Sequence, residues 1–340
     1  MIWLTWRQFR AQAWMTAVGL AVVAVGLAAS GVRLSDLYAA SGVSTCQAHL
    51  DCGSSAASFV SQTKGSPLYS ILFYGGIVIL YLVPALIGIF WGAPLVTHEL
   101  ETGTFRLAWS QSVTRARWLA VKLALIGAAA IVTCGLLSLM ITWWASPIDQ
   151  SLGLGGSLNR LTPLVFGARG IIPVGYAAFA FALGVTAGVL IGRALPAMAA
   201  TLAVFTAALV AMSLWIAPHL IPPRTAISAF NPFGAYGMLL QQNGYLRLMP
   251  AANRPGAWVL SSQVVNASGR VFTGPAPQAC RSGSTQACEA GLGRLHLRQL
   301  VTYQPASRFW EFQWYETAIF LALALVLAGV CFWLIRRRVS

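Results

Sequence analysis

Of the 340 residues, 57% are hydrophobic and only 9% are charged, whereas about 25% charged is ordinary for a soluble domain. Such a surface would be too bare for water, so the composition excludes an ordinary soluble fold and points to the bilayer as solvent. The net charge of +14, from 20 Arg and 2 Lys against 8 acidic residues, would suggest nucleic acid in a soluble chain; here the arginines fall between apolar blocks with no basic stripe interleaved with aromatics, so anionic membrane lipid and no nucleic acid is the expected partner.

A span needs ~20 apolar residues to cross ~30 Å of hydrocarbon. The chain opens on a short basic stretch in which Ile2, Trp6, Phe9 and Ala13 recur at helical spacing while Arg7 and Arg10 lie off that stripe, as in an amphipathic helix along the membrane surface. A plain extension of the first span is the alternative. Six blocks then qualify as spans: between Arg10 and Arg33, between Lys64 and His98, from Leu123 to about Ala145, between Arg169 and Arg193, from Ala194 to Ala217, and between Glu316 and Arg336. A cleaved signal peptide is the competing reading of the first block, with Ala28, Ala29 and Ser30 as the small-residue site. Pro84 lies inside the long second block, where it should kink or tilt the helix. The expected fold is all-α and integral to the membrane. Residues 1–217 would hold five spans and a cytoplasmic loop over 98–122, residues 218–314 a large extracytoplasmic loop domain, and residues 315–340 the sixth span with a basic tail.

Lys and Arg in short loops orient these spans. With the N-terminus inside, ten cations (Arg7, Arg10, Arg106, Arg115, Arg117, Lys122, Arg193, Arg336, Arg337 and Arg338) are cytoplasmic and four (Arg33, Lys64, Arg160 and Arg169) lie in short outer loops. Both termini should be cytoplasmic. Cys46, Cys52, Cys280 and Cys288 then face the oxidising side, while Cys134 and Cys331 lie within spans. Close spacing favours pairing Cys46 with Cys52 and Cys280 with Cys288; a bridge between the two outer segments, or free thiols, remains open.

No span carries an ionisable residue near its middle, which argues against an ion-coupled carrier. Neither Lys64 nor Lys122 sits in a phosphate-binding GxxxxGK[ST] loop, so the chain should hydrolyse no ATP itself and needs no cofactor. His98, Glu99, Leu100 and Glu101 begin like a zincin helix, but position 102 is Thr where the second histidine belongs, so no metal site is expected. Gly153, Gly155 and Gly156 read as an outer loop.

The most informative stretch runs from His98 to Lys122. It holds two of the eight acidic residues, Glu99 and Glu101, before Gly103, and Arg106, Arg115, Arg117 and Lys122 after it. A short helix, a glycine break and a second helix are expected. In Glu99, Glu101, Gly103, Thr104, Arg106, Thr114, Arg115 and Lys122 the chain resembles the ABC-2 family of transporter permeases, the membrane subunits of ATP-binding-cassette exporters. The resemblance extends more loosely over all six spans. It implies that Glu99, Glu101, Gly103, Thr104, Arg106 and Arg115 belong to a coupling segment that seats in a separate ATPase subunit. It also implies an assembly of two such ATPases with a second six-helix permease subunit, a copy or a homologue, in a bacterial cytoplasmic (inner) membrane.

On that reading a largely apolar or amphiphilic substrate leaves by alternating access, and Thr186, Thr201, Phe205, Thr206 and Trp215 are candidates for its path, although small and hydroxyl residues also serve helix packing. Asn231, Pro232, Phe233 and Gly234, followed by apolar residues to Leu240, suit either a short helix dipping toward the membrane or a surface helix. A sensor or assembly protein, anchored by its spans and binding a ligand through residues 218–314, is the alternative function.

Overall fold

The computed structural model describes residues 2–45, 52–102, 115–155, 159–230, 235–240, 245–250, 254–275, 277–281 and 284–338. Six of its helical segments are long and apolar enough to cross a membrane: Phe9–Ala40, Pro67–Thr97, Arg117–Leu154, Ile172–Ile191, Ala194–His219 and Ala306–Arg337. These match the six expected blocks. The chain divides into two compact units, residues 1–220 with 309–340, and residues 221–308 inserted between the fifth and sixth spans.

In the first unit α1 (Ile2–Ala40) is one unbroken helix, so the N-terminal stretch continues directly into the first span. Of its stripe, Phe9 is buried and meets the Trp91 ring edge-on at 4.8 Å, and Ala13 packs on the same apolar cluster. Then come α2 (Cys52–Gly65) and α3 (Pro67–Ile87), which contains Pro84. One turn beyond that proline the backbone widens into a π-helical turn over Gly88–Gly92, closed by the Ala93 N–H on the Gly88 carbonyl at 3.0 Å, before α4 (Pro94–Thr102) resumes the α pitch. A missing amide and two glycines explain why the ladder loosens here. The third span is α5 (Arg115–Gly155), so Gly153 and Gly155, expected in a loop, lie in its last turn; Gly156 is outside the described residues.

The fourth span, α7 (Ile172–Ile191), comes after the short α6 (Pro163–Phe166) and is apolar on every face. Apolarity all round marks it as a span, and packing on its neighbours gives it a central place. Its most apolar window is 78% buried, against 11% for the first span and 22% for the fifth, α8 (Ala194–Ala211). Between α7 and α8, Gly192 takes the left-handed conformation (φ +69) and bonds its N–H to the Gly188 carbonyl at 2.9 Å. A side chain would be strained there.

What brings α7 so near the second span is a pair of glycine ladders, Gly88 and Gly92 on one side and Gly184 and Gly188 on the other. A Cβ at Gly88 would stand 2.6 Å from the Ala180 carbonyl, one at Gly92 2.7 Å from the Phe181 carbonyl, and one at Gly188 2.6 Å from the Ala93 carbonyl; one at Gly184 would overlap the Gly88 carbonyl. The two helices therefore meet backbone to backbone, as small residues four apart permit in membranes. Gly184 and Gly188 are thus packing residues.

In the second unit β1 (Arg224–Ala229), β2 (Ala235–Leu240), β3 (Tyr245–Pro250), β4 (Trp258–Val265), β5 (Gly274–Pro275) and β6 (Arg298–Gln304) form two antiparallel sheets, ordered β1-β6-β4 and β2-β3-β5, with α9 (Gln278–Arg281) and α10 (Thr285–Gly293) between β5 and β6 in the chain. The all-α expectation holds for the first unit and is corrected here. The apolar run to Leu240, read as a helix, is a strand paired with β3, Leu240 opposite Leu246. Six residues are too few for periodicity to separate strand from helix, and β3 supplies the hydrogen-bond partners that decide it. Phe230, Leu248, Val264, Cys288, Leu292 and Leu297 make a small core, and the Cys280–Cys288 disulfide staples α9 to α10 beside it. Cys52 is also disulfide-bonded, its expected partner Cys46 lying outside the described residues, and Cys134 and Cys331 are buried free thiols. The last helix, α11 (Phe309–Arg338), returns the chain to the first unit.

The glycine contact yields a test. Gly184→Leu should destabilise the detergent-solubilised protein by about 1–3 kcal/mol or more, as overpacking does, seen as a lower midpoint of thermal unfolding. Gly19→Leu, where nothing lies within 4 Å of the added carbon, should leave the midpoint nearly unchanged.

Candidate coupling site

Phe9, Val96, Trp118, Leu119, Val189, Leu334 and Ile335 share one apolar cluster, so both ends of the first unit's chain meet α4, the start of α5 and the end of α7 at one end of the bundle. The motif expected to couple lies here. Glu99 is in the last turns of α4, and Arg115 begins α5, although neither side chain is among those described; Gly103, Thr104 and Arg106 lie outside the described residues. The short helix expected before Gly103 is α4. Lys122 is buried, its ammonium 4.6 Å from the centroid of the Trp118 ring one turn earlier, an arrangement that keeps a cation in contact with an electron-rich face.

Short contacts seat α4 against the turn between α7 and α8. Thr97 is fully buried, its hydroxyl donating to the Ala93 carbonyl at 3.0 Å and its methyl lying against Gly188. Ala93 packs with Ala187 and Ala197. Past them the Glu101 carboxylate, itself exposed, accepts the Ala194 backbone N–H at 3.0 Å. Ala194 is the first residue of α8, and Arg193 before it has no side-chain cap. Helix N-termini leave amides without partners and carry partial positive charge, so an incoming carboxylate is favoured there. Sequence reading placed Glu101 in the motif but missed Ala194, since a cap donated from another helix leaves no local signature.

The path candidates divide between buried and exposed positions. Thr186 is buried, donating to the Ala182 carbonyl at 2.7 Å with Cys331 Sγ at 3.1 Å. Thr201 is buried and donates to the Ala197 carbonyl at 2.7 Å, and Phe205 packs edge-on to Tyr176. Thr206 and Trp215 lie on the exposed face of the fifth span. Among the described residues no group of three or more His, Cys, Asp or Glu side chains could hold a metal ion.

At the opposite end of the first unit, charge is buried where the sequence suggested solvent. Arg169, counted among outer-loop cations, is 1% exposed and donates through Nε to Asp149 Oδ2 at 2.7 Å and through Nη2 to Oδ1 at 3.4 Å, with Phe73 under its guanidinium. Tyr176 donates to the buried Glu316 at 2.7 Å. The backbone before α7 is held by side chains from its neighbours: Gly170 N–H on Thr142, the Gly170 carbonyl on Ser138, and Ile171 N–H on Gln313. Buried irregular backbone requires such partners. The lone Asp in the last turns of an apolar helix was the one sequence signal for this.

Residues 17–217 match the family described as ABC-2 membrane transporter related. The chain belongs to that family. The match takes in most of the first and fifth spans, the second to fourth entire and the whole of 98–122, while the second unit and the sixth span lie beyond it. Comparisons with curated proteins and with solved structures find no match. Membership in the ABC-2 membrane transporter related family, with six apolar helices, makes this a multi-pass transport subunit rather than an enzyme, and it implies an ATP-binding partner.

Removing the Arg169 side chain should strand Asp149 in the protein interior. Arg169→Ala is expected to cost about 3–5 kcal/mol, read as a lowered unfolding midpoint in detergent, whereas the paired change Asp149→Asn with Arg169→Gln should lose less than the single one.

Proposed function

We propose that this chain is the membrane-spanning permease subunit of an ATP-binding-cassette exporter. It moves a largely apolar or amphiphilic substrate outward by alternating access, driven by a separate ATPase subunit. The observation that carries this reading is the family match across five spans and the coupling motif. In the assembly two ATPases meet two six-helix subunits, the second a copy or a homologue, in a bacterial cytoplasmic membrane. Both termini and the segment 98–122 are cytoplasmic and the unit 221–308 is outside, an orientation supported by the ten-to-four bias of cations in the short loops. Disulfides at Cys52 and between Cys280 and Cys288 agree with an oxidising outer side.

ATP binding closes the ATPases, and the segment containing Glu99, Glu101, Gly103, Thr104, Arg106 and Arg115 passes that movement to the spans. Thr186, Thr201, Phe205, Thr206 and Trp215 border the route that opens. The purified chain alone should show no ATPase activity, and hydrolysis should appear when the nucleotide-binding partner is added. Reversing both Glu99 and Glu101 to Lys should weaken capture of that ATPase or uncouple its hydrolysis from transport, because like charges brought together can cost several kcal/mol. Glu289→Lys in α10 is the control, since it reverses an acidic charge outside the 98–122 segment. Capture and stimulated hydrolysis as intact in the double reversal as in the control would make 98–122 a plain connector, and hydrolysis by the chain alone would end the reading.

A further inference from the structure

We infer that Glu101 is a positioning residue that joins the coupling segment to the fifth span within the chain, with its carboxylate on the Ala194 amide as the link and Gly192 as the pivot. The inference rests on the permease reading above and gives one motif residue a different physical task from gripping the partner.

The start of α8 has no acceptor of its own. Arg193 occupies the N-cap position with no side-chain oxygen to offer, and Pro196 in the first turn has no N–H, while Ala197 bonds back to the Arg193 carbonyl at 3.2 Å. A helix so begun lacks the usual Ser, Thr, Asp or Asn cap. Glu101 supplies it from α4 across 3.0 Å. A charged acceptor makes this stronger than a neutral hydrogen bond, and its place in the first turn adds the attraction of the helix dipole.

How each helix is held decides which of them the link can move. The end of α7 is fixed, because Gly188 lies against Ala93 and Thr97, and Gly184 against Gly88. Its span is 78% buried, whereas that of α8 is 22% buried, held chiefly along the line of Ala197, Thr201 and Phe205. Gly192 stands between them with a left-handed backbone and nothing within 4 Å of its missing side chain, which leaves the turn itself uncrowded. A displacement of the last turn of α4, beyond Thr97, is therefore passed through Glu101 to the first amide of α8. Thr206 and Trp215 lie on that same span, which gives the movement a consequence for the face they occupy.

The test has two arms, and Glu101, being exposed, can be changed without opening the core. In the isolated chain in nanodiscs, Glu101→Ala should speed hydrogen exchange at Ala194 about tenfold, the loss of one charge-assisted bond, and Glu101→Gln, whose amide oxygen still accepts, should restore it to within about twofold. With the ATPase present, Glu101→Ala should lower substrate moved per ATP several-fold, well beyond any loss in capture of the partner, and Glu101→Gln should recover most of that ratio. Unchanged exchange at Ala194 in Glu101→Ala overturns the inference. So does loss of ATPase capture in proportion to loss of coupling, which would put the carboxylate on the partner. If no ATPase binds even the unaltered chain, the permease reading falls on its own, and the exchange arm still decides whether Glu101 ties the two helices.

Discussion

The contact on which the first unit depends is the approach of Gly88 and Gly92 to Gly184 and Gly188. In lipid there is little hydrophobic reward for pressing one apolar helix on another, so close packing and short polar contacts must hold helices together. Four absent side chains let backbone meet backbone, and everything nearby takes its place from that. The second span is pinned to α7; α4, its continuation, is thereby laid beside the turn at Gly192; and Glu101, at the end of α4, comes within hydrogen-bond reach of Ala194. Were these helices spaced at an ordinary side-chain distance, the carboxylate would fall short of the amide.

The two ends of the bundle solve the same problem with different means. Around Phe9, Trp118 and Leu334 the packing is apolar, with Lys122 held over an aromatic face. Around Asp149 and Arg169 the chain buries a charge pair and threads irregular backbone through side-chain donors and acceptors on α5 and α11. In a medium of low dielectric such a network fixes one arrangement, because breaking any member leaves a polar group without a partner. That end behaves as a brace, whereas the end carrying Gly192 turns with open space beside its Cα.

Much of this was legible in the amino-acid sequence, and for a physical reason. Long uncharged blocks must lie in lipid, so the six spans could be read one charge at a time. Spacing in Glu99, Glu101, Gly103 and Arg106 led to the right family. The rest depended on partners far apart in the chain. Arg169 looks like any loop arginine until Asp149 is known to face it. Ala235–Leu240 looks as helical as extended until Tyr245–Pro250 is paired with it. The glycines at 88, 92, 184 and 188 were visible singly, but nothing in the order of residues says that one pair meets the other.

The wide turn at Gly88–Gly92 has a consequence for chain length. A π turn accommodates one residue more than the α-helix it interrupts, and at 3.6 residues per turn each residue rotates the rest of the helix by about 100°. The extra residue thus sets the phase of α4, turning Thr97 onto Gly188 and Glu101 toward Ala194. Closing the bulge by deleting a single position would preserve the second span's composition and its apolar length, yet it would swing the motif's carboxylates around the helix axis. Here a change invisible to hydropathy would alter what the segment can touch, which makes the residue count of this turn, as much as the residues in it, a carrier of information.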